Sequence, residues 1–353
     1  MNSIKMISYY NNLDNYRKVD AIVEDKINSA LDAAGIHTMQ VSHRLKDEKS
    51  AYAKMLKKPD KYSTATDMTD IVGFRIICYL CDQIDDICRI VEDTFDIDTD
   101  NYVDKSKILS PNTFGYLSVH YICMLKPSPD EYPDELCGYK FEIQIRTVLQ
   151  HTWAEIEHDL GYKNEFGVPQ HVRREFSRMA SLLEIADEGF VRIKDELNAY
   201  GERIREKLKS GDVAGVAIDS LSLREFMKYN QVYLDLITDI ASITGAEISD
   251  CNADSFIDRL DFLDIKTLGD LIDNIREYRD IINDLAQTSL SGMEIEDMAV
   301  STGLYYLCRA KLIKGDYSKK EIRRFLIMSN TKPSMVEKRA DSILNQREKY
   351  SEQ

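Results

Sequence analysis

Residues 141–147 read FEIQIRT. Successive side chains of a β-strand point to opposite faces, so Phe141, Ile143 and Ile145 share one side and Glu142, Gln144 and Arg146 the other. One side is core; the other carries an acid, an amide and a guanidinium. The segment GYLSVHYICML at 115–125 divides the same way, with Leu117, Val119 and Tyr121 apolar and Tyr116, Ser118 and His120 polar. A third segment, IVGFRIICYL at 71–80, is rich in β-branched residues and bounded by Asp70 and Asp82, which reads as a buried strand. Asp70 stands at its mouth, Gly73 permits close backbone approach, and Arg75 is a charge inside an apolar run that requires a partner. A sheet with one solvated face also alternates polar with apolar residues. Three strands sharing the pattern, with acids, bases and an aromatic mixed on one side, point past that to a nucleotide-handling site.

Outward from these strands the pattern turns helical. Val19, Ile22, Val23, Ile27 and Ala30 recur at helical spacing within 15–34, and Gly35 is placed to cap that helix. A short segment at 38–42 leads to a helix expected over 44–57, and another over 84–95 returns from the 71–80 strand. From Gln150 onward almost everything reads as amphipathic helix. The fold class is therefore α+β, a mixed sheet flanked by helices, followed by a mostly α-helical C-terminal region. Two domains are expected, 1–200 and 210–353, with KSGDV at 209–213 as the most linker-like point between them.

The 353 residues carry 46 basic and 61 acidic side chains, a formal net charge of −15, and both parts of the chain are acidic. Binding to bulk nucleic acid rests on neutralising phosphates, so a chain without a basic block is not expected to do it. No apolar run approaches the roughly 20 residues of a membrane span, and the N-terminus has no secretion signal, which predicts no membrane partner and a cytoplasmic protein. The seven cysteines lack the regular spacing of a disulfide framework and are expected to be reduced thiols. The Cys78-x-x-Cys81 pair ends a strand and has no second pair, so it reads as small buried hydrophobes rather than a metal or redox motif.

On the polar side, Asp70 and Glu142 are hard oxygen ligands of the type that hold Mg²⁺ together with substrate phosphates. Arg44, Lys46, Lys54 and Arg75 are the bases available to neutralise a polyphosphate, and Tyr116 is an aromatic able to stack on a base.

At these residues the chain resembles the synthetase domain of the RelA/SpoT family of guanosine tetra- and pentaphosphate (alarmone) synthetases. The resemblance runs from about Val41 to Lys163 through five motifs in family order: HRLKDEKSAYAKM at 43–55, TDIVGFRII at 69–77, FGYLSVH at 114–120, FEIQIRT at 141–147 and HTWAEIEHDLGYK at 151–163. It implies a compact nucleotidyltransferase-like α+β domain that moves the β,γ-pyrophosphate of ATP onto the ribose 3′-hydroxyl of GDP or GTP with Mg²⁺. It also implies roles. Asp70 and Glu142 form the metal site, with Glu142 completing it or activating the 3′-hydroxyl; Arg44, Lys46, Lys54 and Arg75 hold ATP; Tyr116, His120, Gln144 and Arg146 line the acceptor side. Two positions depart from the family's Pro-Lys-x-x-Gly-Tyr-Arg-Ser segment, because Asn112 and Leu117 replace its lysine and arginine; Lys105 and Lys107 lie just upstream. These departures bear on the choice of acceptor. They leave two alternatives: a toxin-type relative acting on an adenine nucleotide or a tRNA 3′ end, and an inert nucleotide-binding sensor, which retention of Asp70 and Glu142 disfavours.

His151, Glu155 and His158 share a helix face but coincide with a family motif, and are not read as zinc ligands. With the motifs beginning near Val41, no alarmone hydrolase domain is expected. Trp153 is read as a core anchor. Beyond Val172 no motif is recognised. Arg173, Arg174 and Arg178 read as a solvated helix face, and 210–353 is expected to serve regulation, partner binding or homo-oligomerisation through its helices.

Overall fold

The computed structural model describes residues 2–57, 61–62, 64–99, 103–104, 118–162 and 169–351. Two compact units divide the chain, Met1–Lys194 and Asp195–Gln353. In the first, helix α1 (Asn2–Ala33) buries Val19, Val23, Ile27 and Leu31 at helical spacing. It ends where expected, at Gly35, whose φ of 65° is the left-handed conformation that glycine adopts freely.

The sheet comprises β1 (Thr38–Leu45), β2 (Val72–Cys78), β3 (Phe95–Ile97), β4 (Val103–Asp104), β5 (Val119–Leu125) and β6 (Phe141–Thr147). Its order is β1-β2-β6-β5-β3, with β4 also paired to β5. Strands β2 and β6 run parallel and the other pairs antiparallel, so the sheet is mixed. Between the strands lie α2 (Glu48–Lys57) and α3 (Gln83–Thr94), and α4 (Val148–Tyr162) follows β6 directly. Two expectations need correction. Arg44 lies in β1, not in a helix, because β1 pairs with β2 as far as Leu45 opposite Val72. Phe95 leaves α3 and begins β3, opposite Leu125.

The alternation in FEIQIRT is realised residue by residue. Phe141, Ile143 and Ile145 are fully buried while Glu142, Gln144 and Arg146 are half-buried. Phe141 meets Phe74 and Phe95 edge-on, with centroids 6.4 and 5.2 Å apart. Burial of each such side chain is worth about 1.5–3 kcal/mol, which fixes the register and so decides which residues face the other way.

Helix α5 (Gln170–Ser210) contains the boundary between the units and stops before Gly211, at φ 77°. The second unit is built from α6 (Ser220–Tyr229), α7 (Gln231–Ser242), α8 (Ile257–Phe262), α9 (Leu268–Leu290), α10 (Thr302–Lys314), α11 (Lys319–Met328) and α12 (Pro333–Ser351). A short parallel pair, β7 (Glu247–Ser249) and β8 (Asp297–Ala299), joins them. Helix α10 is buried nearly all round, and Tyr233 in the core donates its hydroxyl to Val300 O at 2.6 Å. Among the described residues no helix is long and apolar enough to cross a membrane.

Candidate active site

Register assembles the polar face. Arg44 of β1 pairs with Gly73 of β2, and Gly73 with Glu142 of β6. One row along, Ser42 pairs with Arg75, Arg75 with Gln144 and Gln144 with His120. Residues far apart in sequence thus become neighbours across four strands. A cleft of about 220 Å³ opens on this face, lined by Arg44, Asp70, Arg75, Glu142, Gln144 and Glu155 among others.

Asp70 is held at the cleft by two lysines. The Lys46 backbone N–H donates to Ile71 O at 2.7 Å, which sets the lysine beside the mouth of β2. Its Nζ lies 3.0 Å from Asp70 Oδ2, and Lys54 Nζ, on α2, lies 2.6 Å from the same oxygen. Burial pushes the Asp70 pKa up, but the Lys54 hydrogen bond and the two lysine charges outweigh it and leave the carboxyl below its ordinary 3.8. Burial likewise works against the charge on Lys54, and Asp70 reverses the balance, so the lysine pKa is raised. Asp70 Oδ1 is buried without a hydrogen-bond partner.

Glu142 is positioned by a chain of side chains. His120 Nδ1 lies 2.9 Å from Oε1, Gln144 Nε2 donates to Oε2 at 3.0 Å, and Ser118 Oγ lies 2.7 Å from His120 Nε2. An ionised carboxylate only accepts, so Nδ1 carries the proton that faces it, and Nε2 and the Ser118 hydroxyl share the hydrogen bond on the other side of the ring. Burial raises the Glu142 pKa, yet the His120 hydrogen bond and charge, with Gln144, bring it below 4.5. Glu142 is ionised at neutral pH.

Arg75 finds its partner in Glu155 of α4, with Nη1 donating to Oε1 at 3.0 Å. Thr147 and Gln150 cap that helix reciprocally, the Gln150 N–H donating to Thr147 Oγ1 and the Thr147 N–H to Gln150 Oε1. Arg146 shares the polar face; its Nε is buried without a hydrogen-bond partner, and burial together with the Arg75 charge lowers its pKa. Burial and Arg75 also lower the pKa of His151.

Arg44, Asp70, Arg75, Glu142 and Gln144 therefore meet in one cleft, Lys46 and Lys54 join through Asp70, and His120 joins through Glu142. Tyr116, Asn112, Leu117, Lys105 and Lys107 lie outside the described residues. Two members were named from sequence without being given a site role. Ser118 carried a signal in its place on the polar alternation; Glu155 carried one in its helix face with His151. Trp153 is half-buried, edge-on to Phe176 at 6.4 Å. All seven cysteines are free thiols; burial pushes the Cys78 thiol up to about 12, so it is protonated and inert.

The donor set fits a hard divalent cation. Asp70 Oδ1 is an unpaired anionic oxygen, and Glu142 is an ionised carboxylate with lone pairs beyond its two hydrogen bonds. Among the described residues no three His, Cys, Asp or Glu side chains form a complete cage. Two carboxylates completed by phosphates and water is the arrangement Mg²⁺ ordinarily takes.

The fold and cleft define a mixed-sheet α+β domain that gathers carboxylates and bases on one face. Residues 43–166 match the region found in RelA / SpoT proteins, so the first unit carries a RelA/SpoT region, with a further helical unit after it. GTP pyrophosphokinase YwaC of Bacillus subtilis (strain 168) is 29% identical over 158 residues, 44% of this chain and 73% of YwaC. GTP pyrophosphokinase YjbM of the same organism is 28% identical over 179 residues, 49% and 79% of the two chains. The crystal structure of small alarmone synthetase 1 from Bacillus subtilis, bound to its product pppGpp, is similar over 54% of this chain and 97% of its own, with 24% identity and a TM-score of 0.46.

Proposed function

We propose that the first unit transfers the β,γ-pyrophosphate of ATP to the ribose 3′-hydroxyl of GDP or GTP, making guanosine tetra- or pentaphosphate. The observation that supports it is the convergence of Asp70, Glu142, Lys46, Lys54, Arg44 and Arg75 about one cleft, in a chain whose relatives YwaC and YjbM are named GTP pyrophosphokinases.

In this reading the ribose 3′-oxygen attacks the β-phosphorus of ATP, the bond from that phosphorus to the α–β bridging oxygen breaks, and AMP leaves. Glu142, ionised and held by His120 and Gln144, takes the 3′-hydroxyl proton. Arg44, Lys46, Lys54 and Arg75 offset the phosphate charge and fix the chain in line, which is most of what phosphoryl-type transfer requires. Tyr116, Gln144 and Arg146 belong to the acceptor side. Asp70 and Glu142 would hold Mg²⁺, which supplies charge neutralisation at the transferred group. The free thiols support a cytoplasmic setting.

The test incubates the full chain with γ-labelled ATP, Mg²⁺ and, separately, GDP, GTP, AMP or bulk tRNA. Label is expected on GDP or GTP, and Glu142→Gln should lower kcat by about 10²–10⁴ without loss of fold, the range for removing a general base. Transfer to no acceptor would overturn the enzyme reading; label on AMP or tRNA alone would redirect it to the toxin-type reaction.

A further inference from the structure

The second unit contains a pocket of about 260 Å³ whose chemistry is cationic, although the chain as a whole carries −15. Three guanidinium groups line it: Arg259 from α8, Arg309 from α10 and Arg339 from α12. Ser329, Thr331 and Ser342 also line it, the Ser329 hydroxyl donating to Phe325 O at 2.9 Å, and no acidic residue lines it. Several other arginines of this unit are paired with carboxylates, among them Arg205 with Glu225, Arg279 with Asp239 and Arg323 with Glu337. Among the described residues, no carboxylate forms an ion pair with any of the three at the pocket. Arg259 Nε is buried without a hydrogen-bond partner, and its guanidinium stacks 4.5 Å above the Phe256 ring. Among the described residues Arg309 donates to the neutral amide of Gln346, at 3.1 Å, and to no carboxylate. A buried donor of this charge left unpaired, as Arg259 Nε is, is costly, and with the Arg309 and Arg339 guanidiniums beside it on one concavity, neither ion-paired, the site suits an anion.

The remaining wall is apolar, with Cys308, Leu312 and Leu326 nearly inaccessible. Burial pushes the Cys308 thiol up to about 12, so it brings no competing negative charge. We propose that this pocket binds a small phosphate monoester with a compact apolar body. Three cations match the dianionic charge of a monoester better than the single charge of a carboxylate. The apolar wall takes the esterified group. The volume lies below the roughly 300–1,000 Å³ of sites for drug-sized ligands, which favours a ring-sized body and excludes a whole nucleoside triphosphate. The ligand is thus distinct from the nucleotides proposed for the sheet cleft.

Phenyl phosphate is the probe, titrated calorimetrically into the full chain beside benzoate and benzyl alcohol. Saturable one-to-one binding is expected for phenyl phosphate, weaker binding for benzoate, and none for the alcohol. Arg339 is exposed, so Arg339→Glu should keep the melting temperature while weakening phenyl phosphate about tenfold or more, and Arg339→Gln should fall between. Arg75→Ala, in the sheet cleft, should leave the affinity unchanged. Three results would overturn the proposal: no saturation by about 10 mM phenyl phosphate, a millimolar limit that already corresponds to very weak binding; benzoate or benzyl alcohol binding equally well; or binding that survives Arg339→Glu and disappears with Arg75→Ala.

Discussion

Glu142 and Asp70 are acids kept ionised in partly buried positions, and the groups that keep them so give the first unit a pH signature. Both carboxyls sit below their ordinary values of 4.5 and 3.8. A depressed carboxyl contributes stability that is present above its unfolded pKa and is lost as pH falls through the folded one. Lys54, with a raised pKa, contributes below its ordinary 10.5 and loses that contribution only at more alkaline pH. Resistance of the first unit to urea should therefore hold near neutrality and drop below about pH 4, less steeply in Glu142→Gln. His120→Ala tests the same balance in catalysis. With burial no longer opposed by the imidazole, the acid limb of the kcat/KM profile should move to higher pH; an unmoved limb would mean that Glu142 is not the titrating group. At this scale alternation alone identifies Glu142, Gln144, Arg146 and His120 as one face. It does not reveal that Ser118 bonds His120 or that two lysines share Asp70 Oδ2, because those depend on rotamers and on where α2 packs.

Elements decide how those side chains are carried. Thr147 ends β6 and caps α4, so one residue sets both the strand that bears Glu142 and the helix that bears Glu155. Its hydroxyl accepts from the Gln150 N–H at 3.1 Å and donates to buried Asp187 at 2.7 Å. Thr147→Ala removes the cap and takes a donor from Asp187, and should cost the first unit about 1–3 kcal/mol in urea unfolding, with Thr147→Ser recovering most of it. The Thr-x-x-Gln signature of this cap is visible in the sequence. The misreading of Arg44 has the opposite cause. The edge strand β1 has no buried residue and its last residues, His43–Leu45, run on in HRLKDEKSAYAKM into the helix formers of α2, so local propensity concealed a strand end that only pairing with β2 defines. The three-residue β3 was invisible for the same reason.

Across the whole molecule, two hydrophobic cores share no residue: one runs from Met6 to Ile145, the other from Ile204 to Tyr350. The helical character of the second half was legible from its amphipathic segments, and nearly all its chemistry was not. Arg259, Arg309 and Arg339 occupy three separate helices, and each alone reads as a solvated charge; only the packing of α8, α10 and α12 makes them one pocket. Separate cores predict separate melting. Gly269 supplies a probe, because a Cβ there would stand 2.7 Å from Ala214 Cα, a backbone atom that cannot swing aside. Gly269→Ala should strain the second core by about 1–3 kcal/mol. Scanning calorimetry of the full chain should then show two transitions, Gly269→Ala lowering one and Thr147→Ala the other. A single transition shifted equally by both variants would mean that the two units unfold as one cooperative body.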